Sequence, residues 1–413
     1  MAFIKPFKGV RPVKELAEKV ASLPYDVMNT KEAIRMAEGN EVSFLHISRP
    51  EIDFPLGTDE HSDQVYRRGH ENLERFLKTG VLLQDETDRY YVYKQRMGNI
   101  TQTGLVVCAG VDDYQSGAIK KHELTRADKE EDRVRHIDTL DANDEPVFYT
   151  YRHDPAITAL VDSVTAGAPL YDFVTDDGVS HTLWAAADPA LVAELTARFA
   201  AIPTLYVADG HHRSAAASRV RELRKAANPA HNGTEEYNFF LTVIFPDNEM
   251  NIMPYNRVVK DLNDRSVAEF MAQVAERFLV TPVAGKLSPT QRHQYGMYLA
   301  GKWYELVPRE GTFVEGDPVG ALDVSILQDN LLSPVLGIRN PRTDQRIHFV
   351  GGIRGIEELE RVVDSGEYQV AFSLFPTSME ELMSLADQDK IMPPKSTWFE
   401  PKLRSGLFIH MLD

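Results

Sequence analysis

A single cysteine, Cys108, occurs in 413 residues, which excludes an intrachain disulfide and any zinc cluster built on cysteine. No hydrophobic run is long enough to span a bilayer, and no apolar segment follows Met1-Ala2-Phe3-Ile4-Lys5-Pro6 in the manner of a signal peptide. Basic charge is also scarce. The chain carries 45 Lys and Arg against 62 Asp and Glu, a formal charge of -17. Such a surplus repels nucleic acid and anionic membrane, so an anion site has to be made locally basic. Internal repeats and low-complexity segments are missing as well. The expectation is a cytoplasmic protein with no nucleic-acid or membrane partner, compatible with a homo-oligomer. The Asn-x-Thr matches at Asn99 and Asn232 have no meaning as glycosylation sites there.

What is present is ample apolar material and alternating helix and strand signals, at a length that calls for two or three domains. Helices are expected over 14–20, over 30–38 capped by Thr30, and over 63–78, where Gly69 interrupts the pattern. Residues 42–47 read as a buried strand, and 89–95 with 101–111 as a hairpin turning at Gly98-Asn99. Further on come a charged helix at 126–137, strands at 147–151, 170–174 and 181–186, and a helix at 189–199. Near the end follow a strand at 370–374, a helix at 379–387 and an extended stretch at 392–398. The fold class is α+β (mixed α/β), with regions at 1–115, 116–260 and 261–413.

The clearest unit is a short β-rich strand at 203–208, a turn at Asp209-Gly210, and a helix over 213–227. A strand that enters a helix directly leaves unpaired backbone N–H groups at the helix start, and the helix dipole makes that spot electropositive. Gly210 permits the tight turn and the close approach of an anion. Arg213 carries a planar fork suited to phosphate, and His211 and His212 add ring donors. Ser214, next in line, joins the candidate phosphate contacts. Asp209 is a candidate to hold Mg2+ or take a proton. The plain alternative is ordinary turn chemistry before a helix. Metal binding by the adjacent histidines is disfavoured, because helical ligand pairs sit four residues apart on one face.

Tyr206-Val207-Ala208-Asp209-Gly210-His211-His212-Arg213-Ser214-Ala215-Ala216 resembles the signature of the family called domain of unknown function 1015. The resemblance extends to Pro24-Tyr25-Asp26-Val27, His46-Ile47-Ser48-Arg49-Pro50, Lys121-His122-Glu123-Leu124-Thr125, Pro254-Tyr255-Asn256-Arg257-Val258-Val259 and Met392-Pro393-Pro394-Lys395-Ser396-Thr397. Asp209 to Arg213 is also similar to the motif of free-serine kinases of the ParB/sulfiredoxin-like fold. That likeness implies a central nucleotide-binding domain of this fold, flanked by N- and C-terminal α/β regions. It gives Glu123, on an upstream His-Glu segment with His122, the role of base toward a substrate hydroxyl. The long separation of Glu123 from Asp209 implies an insertion. Sulfiredoxin-like chemistry is disfavoured, since His211 stands where a cysteine is needed, and the charge argues against DNA binding as in ParB.

The function implied is that of a small-molecule kinase using ATP or ADP with Mg2+ to phosphorylate free L-serine or a similar metabolite. In it the 210–214 segment holds phosphates, Glu123 and Asp209 are catalytic, and His122, Arg49, Arg257 and Lys395 contact the substrate. A nucleotide-binding regulatory protein without phosphoryl transfer is the alternative, and a scaffold with a purely structural turn is a third. The run Lys129-Glu130-Glu131-Asp132-Arg133 reads as a solvated helix face laced with ion pairs, with Arg133 and His136 kept as further phosphate or substrate contacts.

Overall fold

Alternating buried strands and amphipathic helices give a mixed α/β structure in the computed structural model, which describes residues 3–413. The chain forms two units. One comprises the chain up to Lys121, Thr125–Met250 and Pro401–Asp413; the other comprises His122–Leu124 and Asn251–Glu400. Among the described residues no helix is long and apolar enough to cross a membrane.

The first unit is built on a nine-stranded mixed sheet. Its path runs from Ile119–Lys120 through Leu205–Asp209, Val147–Tyr151 and Phe239–Pro246 to Ile100–Gly110, then on through Tyr90–Met97, Ser180–Ala186 and Tyr171–Val174, with the ninth strand, Ile4–Lys5, pairing off this path with Ile100–Gly110. Leu205–Asp209 is parallel to its neighbour Ile119–Lys120 and antiparallel to Val147–Tyr151. The fully buried Tyr149, Val207 and Leu205 belong to the main apolar core with Phe199 and Ile244. The alanines opening the helix His211–Ala227 divide between two faces. Ala215 and Ala217 meet the sheet core, whereas Ala216 packs with Val134, Ile137 and Val220 beneath the helix Ala127–Leu140. Small side chains on both faces bring the helix close to both layers.

Several elements differ from expectation. The apolar run at 42–47 is not a strand: Leu45–Ser48 is one helical turn, its Phe44 amide donating to Val20 O. A short run buried on all sides has no periodicity that separates strand from helix. The second helix is capped by Asn29 rather than Thr30, because Asn29 and Glu32 form a reciprocal capping box over Thr30–Ala37. The helix Pro155–Thr165, unforeseen, is announced by Asp154 at its cap and Pro155 behind it. The helix after the central turn begins at His211, so both histidines lie within its first turn.

The second unit holds a six-stranded antiparallel sheet ordered Phe278–Val283, Lys302–Pro308, Tyr295–Leu299, Val370–Leu374, Tyr255–Val259 and Ile347–Gly351. Val258, Trp303, Leu359 and Ala371 share its core.

Gly69, in the middle of the helix Asp63–Lys78, has a packing reason. A Cβ there would lie 3.1 Å from Ile47 O and 3.3 Å from Pro50 Cγ. A Gly69→Val variant should therefore lose about 1–3 kcal/mol in denaturant unfolding through overpacking, although an exposed helix position would gain from losing glycine.

Candidate functional site

The strand Leu205–Asp209 does not run straight into its helix. Pairing with Val147–Tyr151 shifts register between Val207 and Asp209, a bulge at Ala208 that turns the strand end. Gly210 then takes φ +93°, a left-handed conformation, and serves as the N-cap residue. A Cβ at that position would also stand 3.1 Å from Val147 Cγ1 and 3.1 Å from Arg213 Nε. Only glycine meets both demands. The first ladder bond of the helix is Ser214 N donating to Gly210 O at 3.0 Å. The amides of His211, His212 and Arg213 thus precede the helical ladder and point along the dipole's positive end.

Around this turn the side chains are tightly engaged. Asp209 Oδ1 accepts from the Gly210 amide at 2.9 Å, while Oδ2 sits 2.9 Å from Lys402 Nζ and 3.9 Å from Arg213 Nη2. Burial alone would raise the Asp209 carboxyl, but Lys402 and Arg213 outweigh it and hold the group well below the usual range. A magnesium ion does not fit here. Both carboxylate oxygens are taken, and an ammonium already occupies the position a divalent cation would need. Arg213 is only 6% exposed, and its Nη1 donates to Pro146 O. Nη1 is thus committed inward, whereas Arg213 Nε has no hydrogen-bond partner among the described residues. Ser214 is buried too, its hydroxyl bonding Gly210 O at 3.1 Å and Tyr149 Oη at 2.9 Å. His212 Nε2 accepts the Arg126 amide at 3.0 Å, and His211 is buried at the helix start.

Behind Arg213 lies a buried charge network that the sequence reading did not assemble. Glu145 Oε1 accepts from the Tyr25 amide and from Ser405 Oγ, both at 3.0 Å, and Oε2 stands 3.8 Å from Arg133 Nη1. The Arg133 guanidinium lies 4.0 Å over the Tyr25 ring and pairs with Asp132 at 2.8 Å. Asp144 is 3.0 Å from His136 Nε2. Burial and the neighbouring Asp144 push Glu145 up to about 7. Burial works the same way on Asp144, but His136 and Arg133 hold it below the usual range. The two adjacent buried acids are thus driven apart, Glu145 upward and Asp144 downward. The run at 129–133 is accordingly not a wholly solvated face, since Asp132 and Arg133 are both buried.

A cavity of about 270 Å³ opens in this unit beside Arg133, with Arg49, Glu51, Lys129 and His136 also on its wall. Arg49 braces it: the guanidinium donates to Glu51 Oε1 at 2.6 Å, to the carbonyls of Tyr25 and Met28 at 2.8 Å, and to Thr30 Oγ1 at 3.0 Å. The remaining residues expected at a site belong to the second unit. There Arg257 is 3% exposed, donates to Tyr255 O and, at 2.9 Å, to Lys395 O, and has no carboxylate within ion-pair distance among the described residues. Burial lowers it to about 10. His122 O accepts the Met392 amide at 2.8 Å and its Nε2 lies 3.4 Å from Thr397 Oγ1. Glu123 follows on the same short segment, half-buried.

Glu145 yields a pH test. Its folded value lies above the ordinary value of 4.5, so its stabilising contribution is complete in acid and is lost as pH rises through about 7. Glu145→Gln keeps an acceptor oxygen and removes the titration. Its unfolding free energy relative to wild type should increase from about pH 5 to about pH 8; a pH-independent difference would contradict the buried, proton-holding role.

No curated protein matches the chain by sequence. Solved structures similar to it include a free serine kinase in complex with AMP, with TM-score 0.35 and 14% identity over 74% of this chain and 92% of that one. A conserved hypothetical protein from Pyrococcus furiosus gives 0.35 and 14%, covering 74% and 95%. SbnI with C-terminal truncation from Staphylococcus aureus gives 0.39 and 12%, covering 74% and 87%. The family model described as Protein of unknown function (DUF1015) matches residues 4–325, and the chain belongs to that family.

Proposed function

We propose that the chain binds the phosphates of a nucleotide at the 210–213 turn and passes a phosphoryl group to the hydroxyl of a small metabolite. The observation that carries this is the Gly210 hinge. It sets the amides of His211, His212 and Arg213 ahead of the helical ladder, beside a buried guanidinium. Backbone donors at a helix start favour phosphate in general, and phosphoryl transfer demands positioning and charge neutralisation above all. The donor proposed is ATP or ADP and the acceptor free L-serine, as the similarity of Asp209 to Arg213 to the free-serine-kinase motif implies. For the base that takes the hydroxyl proton, the sequence offers Glu123.

Since Asp209 is paired with Lys402, no step is assigned to a protein-held magnesium ion. The same pairing favours a second reading, a nucleotide-binding regulatory protein without transfer, because the acidic group expected to aid chemistry is already neutralised. One experiment separates the two. Protein incubated with serine, Mg2+ and either ATP or ADP should form phosphoserine, detected by mass spectrometry. Saturable nucleotide binding by calorimetry without product would select the regulatory reading, and neither binding nor product would remove both.

A further inference from the structure

We propose that Lys402 is the positioning residue of the phosphate turn, its ammonium cancelling the charge of Asp209 so that the amides of His211, His212 and Arg213 can receive an anion. The inference rests on the phosphate reading of that turn and adds to it the residue on which affinity depends.

The need for such a residue follows from the hinge. Asp209 is fixed beside the turn because its Oδ1 accepts the Gly210 amide at 2.9 Å. An ionised carboxylate there opposes any phosphate drawn to the helix start. The Asp209 side chain is 27% exposed, so its charge is not sealed away from an arriving ligand. The charged and titratable groups facing it are Lys402, Arg213 and His211. Lys402 Nζ stands 2.9 Å from Oδ2, whereas Arg213 Nη2 is 3.9 Å away and the Nη1 of the same fork is turned to Pro146 O. The ammonium is therefore the closer of the two cations.

Lys402 is also held in place from its backbone. Tyr91, Tyr93 and Gln95 alternate onto one face of the sheet, and Phe408 packs on both tyrosines with ring centroids 5.6 Å apart. Gln95 pairs in register with Gln102, and both are fully buried. Gln102 Nε2 donates to Gln95 Oε1 at 2.9 Å and to Pro401 O at 3.2 Å, and Gln95 Nε2 donates to Lys402 O at 2.7 Å. Among the described residues the two side chains bond to nothing else. Burying two amides inside a hairpin is unfavourable unless they are bonded, and these bonds fix the backbone at Pro401 and Lys402. A flexible four-carbon stem is thus anchored at its root, and its charge is delivered to Asp209.

The test is calorimetric titration of the full chain with ADP, without divalent cations, in wild type, Lys402→Met, Asp209→Asn and the double variant. Lys402→Met should weaken ADP binding by at least about tenfold near pH 8. Asp209→Asn keeps the oxygen that takes the Gly210 amide and should bind ADP at least as tightly as wild type. The double variant should return to within about threefold of wild type. The deficit of Lys402→Met should also shrink in acid. Without the ammonium the Asp209 carboxyl takes up its proton at higher pH than in wild type, which removes the opposing charge, while the titration of ADP itself cancels in the ratio of the two proteins. A mere loss of packing would respond neither to acid nor to Asp209→Asn. Unchanged affinity in Lys402→Met, a pH-independent deficit, or a double variant as weak as the single would overturn the proposal. If Lys402→Met shows no thermal transition, Asp209→Asn decides, and weaker binding there would overturn it. Failure of the phosphate reading itself looks different, because wild type then binds no ADP, and this inference falls with it.

Discussion

A strand can give way to a helix across a single residue only when that residue absorbs the reversal of backbone direction. At Gly210 the chain does so with φ at +93° and no room for a side chain between Val147 and Arg213. The local structure of the site depends on this hinge. It holds Asp209 against its own neighbour's amide, aims the first amides of the next helix away from the helical ladder, and draws Arg213 down onto Pro146. The bulge at Ala208 supplies the turn of the strand that precedes it, and the alanines that follow let the helix settle between sheet and neighbouring helix.

The second constraint is electrostatic. A chain with a formal charge of -17 makes a phosphate site only where cations gather. Around the turn and behind it, Lys402, Arg213 and Arg133 are interleaved with Asp209, Glu145 and Asp132. Buried ion pairs of this kind add little net stability, since desolvation offsets much of their attraction, but breaking one leaves an uncompensated charge. Their effect is to fix geometry. Glu145 illustrates it: a single carboxyl ties the Tyr25 loop, the C-terminal Ser405 and the Arg133 guanidinium to one point of the first unit.

How much of this was legible follows from the range of each interaction. The strand, the glycine turn and the helix at Leu205 to Ala227 are local, and Asp-Gly between a β-rich run and an alanine-rich run announces them. The hairpin at Gly98-Asn99 and the helix at Asp63–Lys78 were legible for the same reason. The partner of Asp209 was not, because Lys402 lies 193 residues away in the sequence. That unseen ammonium also made Asp209 look available for a metal. Burial of Asp132 and Arg133 was hidden because a charged run reads as solvated until its neighbours are known. The buried turn at Leu45–Ser48 had no periodicity to reveal it. The cavity beside Arg133 combines several distant segments, each of them unremarkable alone.

The most direct measurement is of the amides themselves. In a ¹⁵N-labelled sample titrated with ADP, the backbone resonances of His211, His212 and Arg213 should move saturably and together, as N–H groups do when they take up an oxyanion. If those resonances stay in place while nucleotide binds and perturbs other parts of the chain, the Gly210 hinge is a structural turn and the phosphate site lies elsewhere.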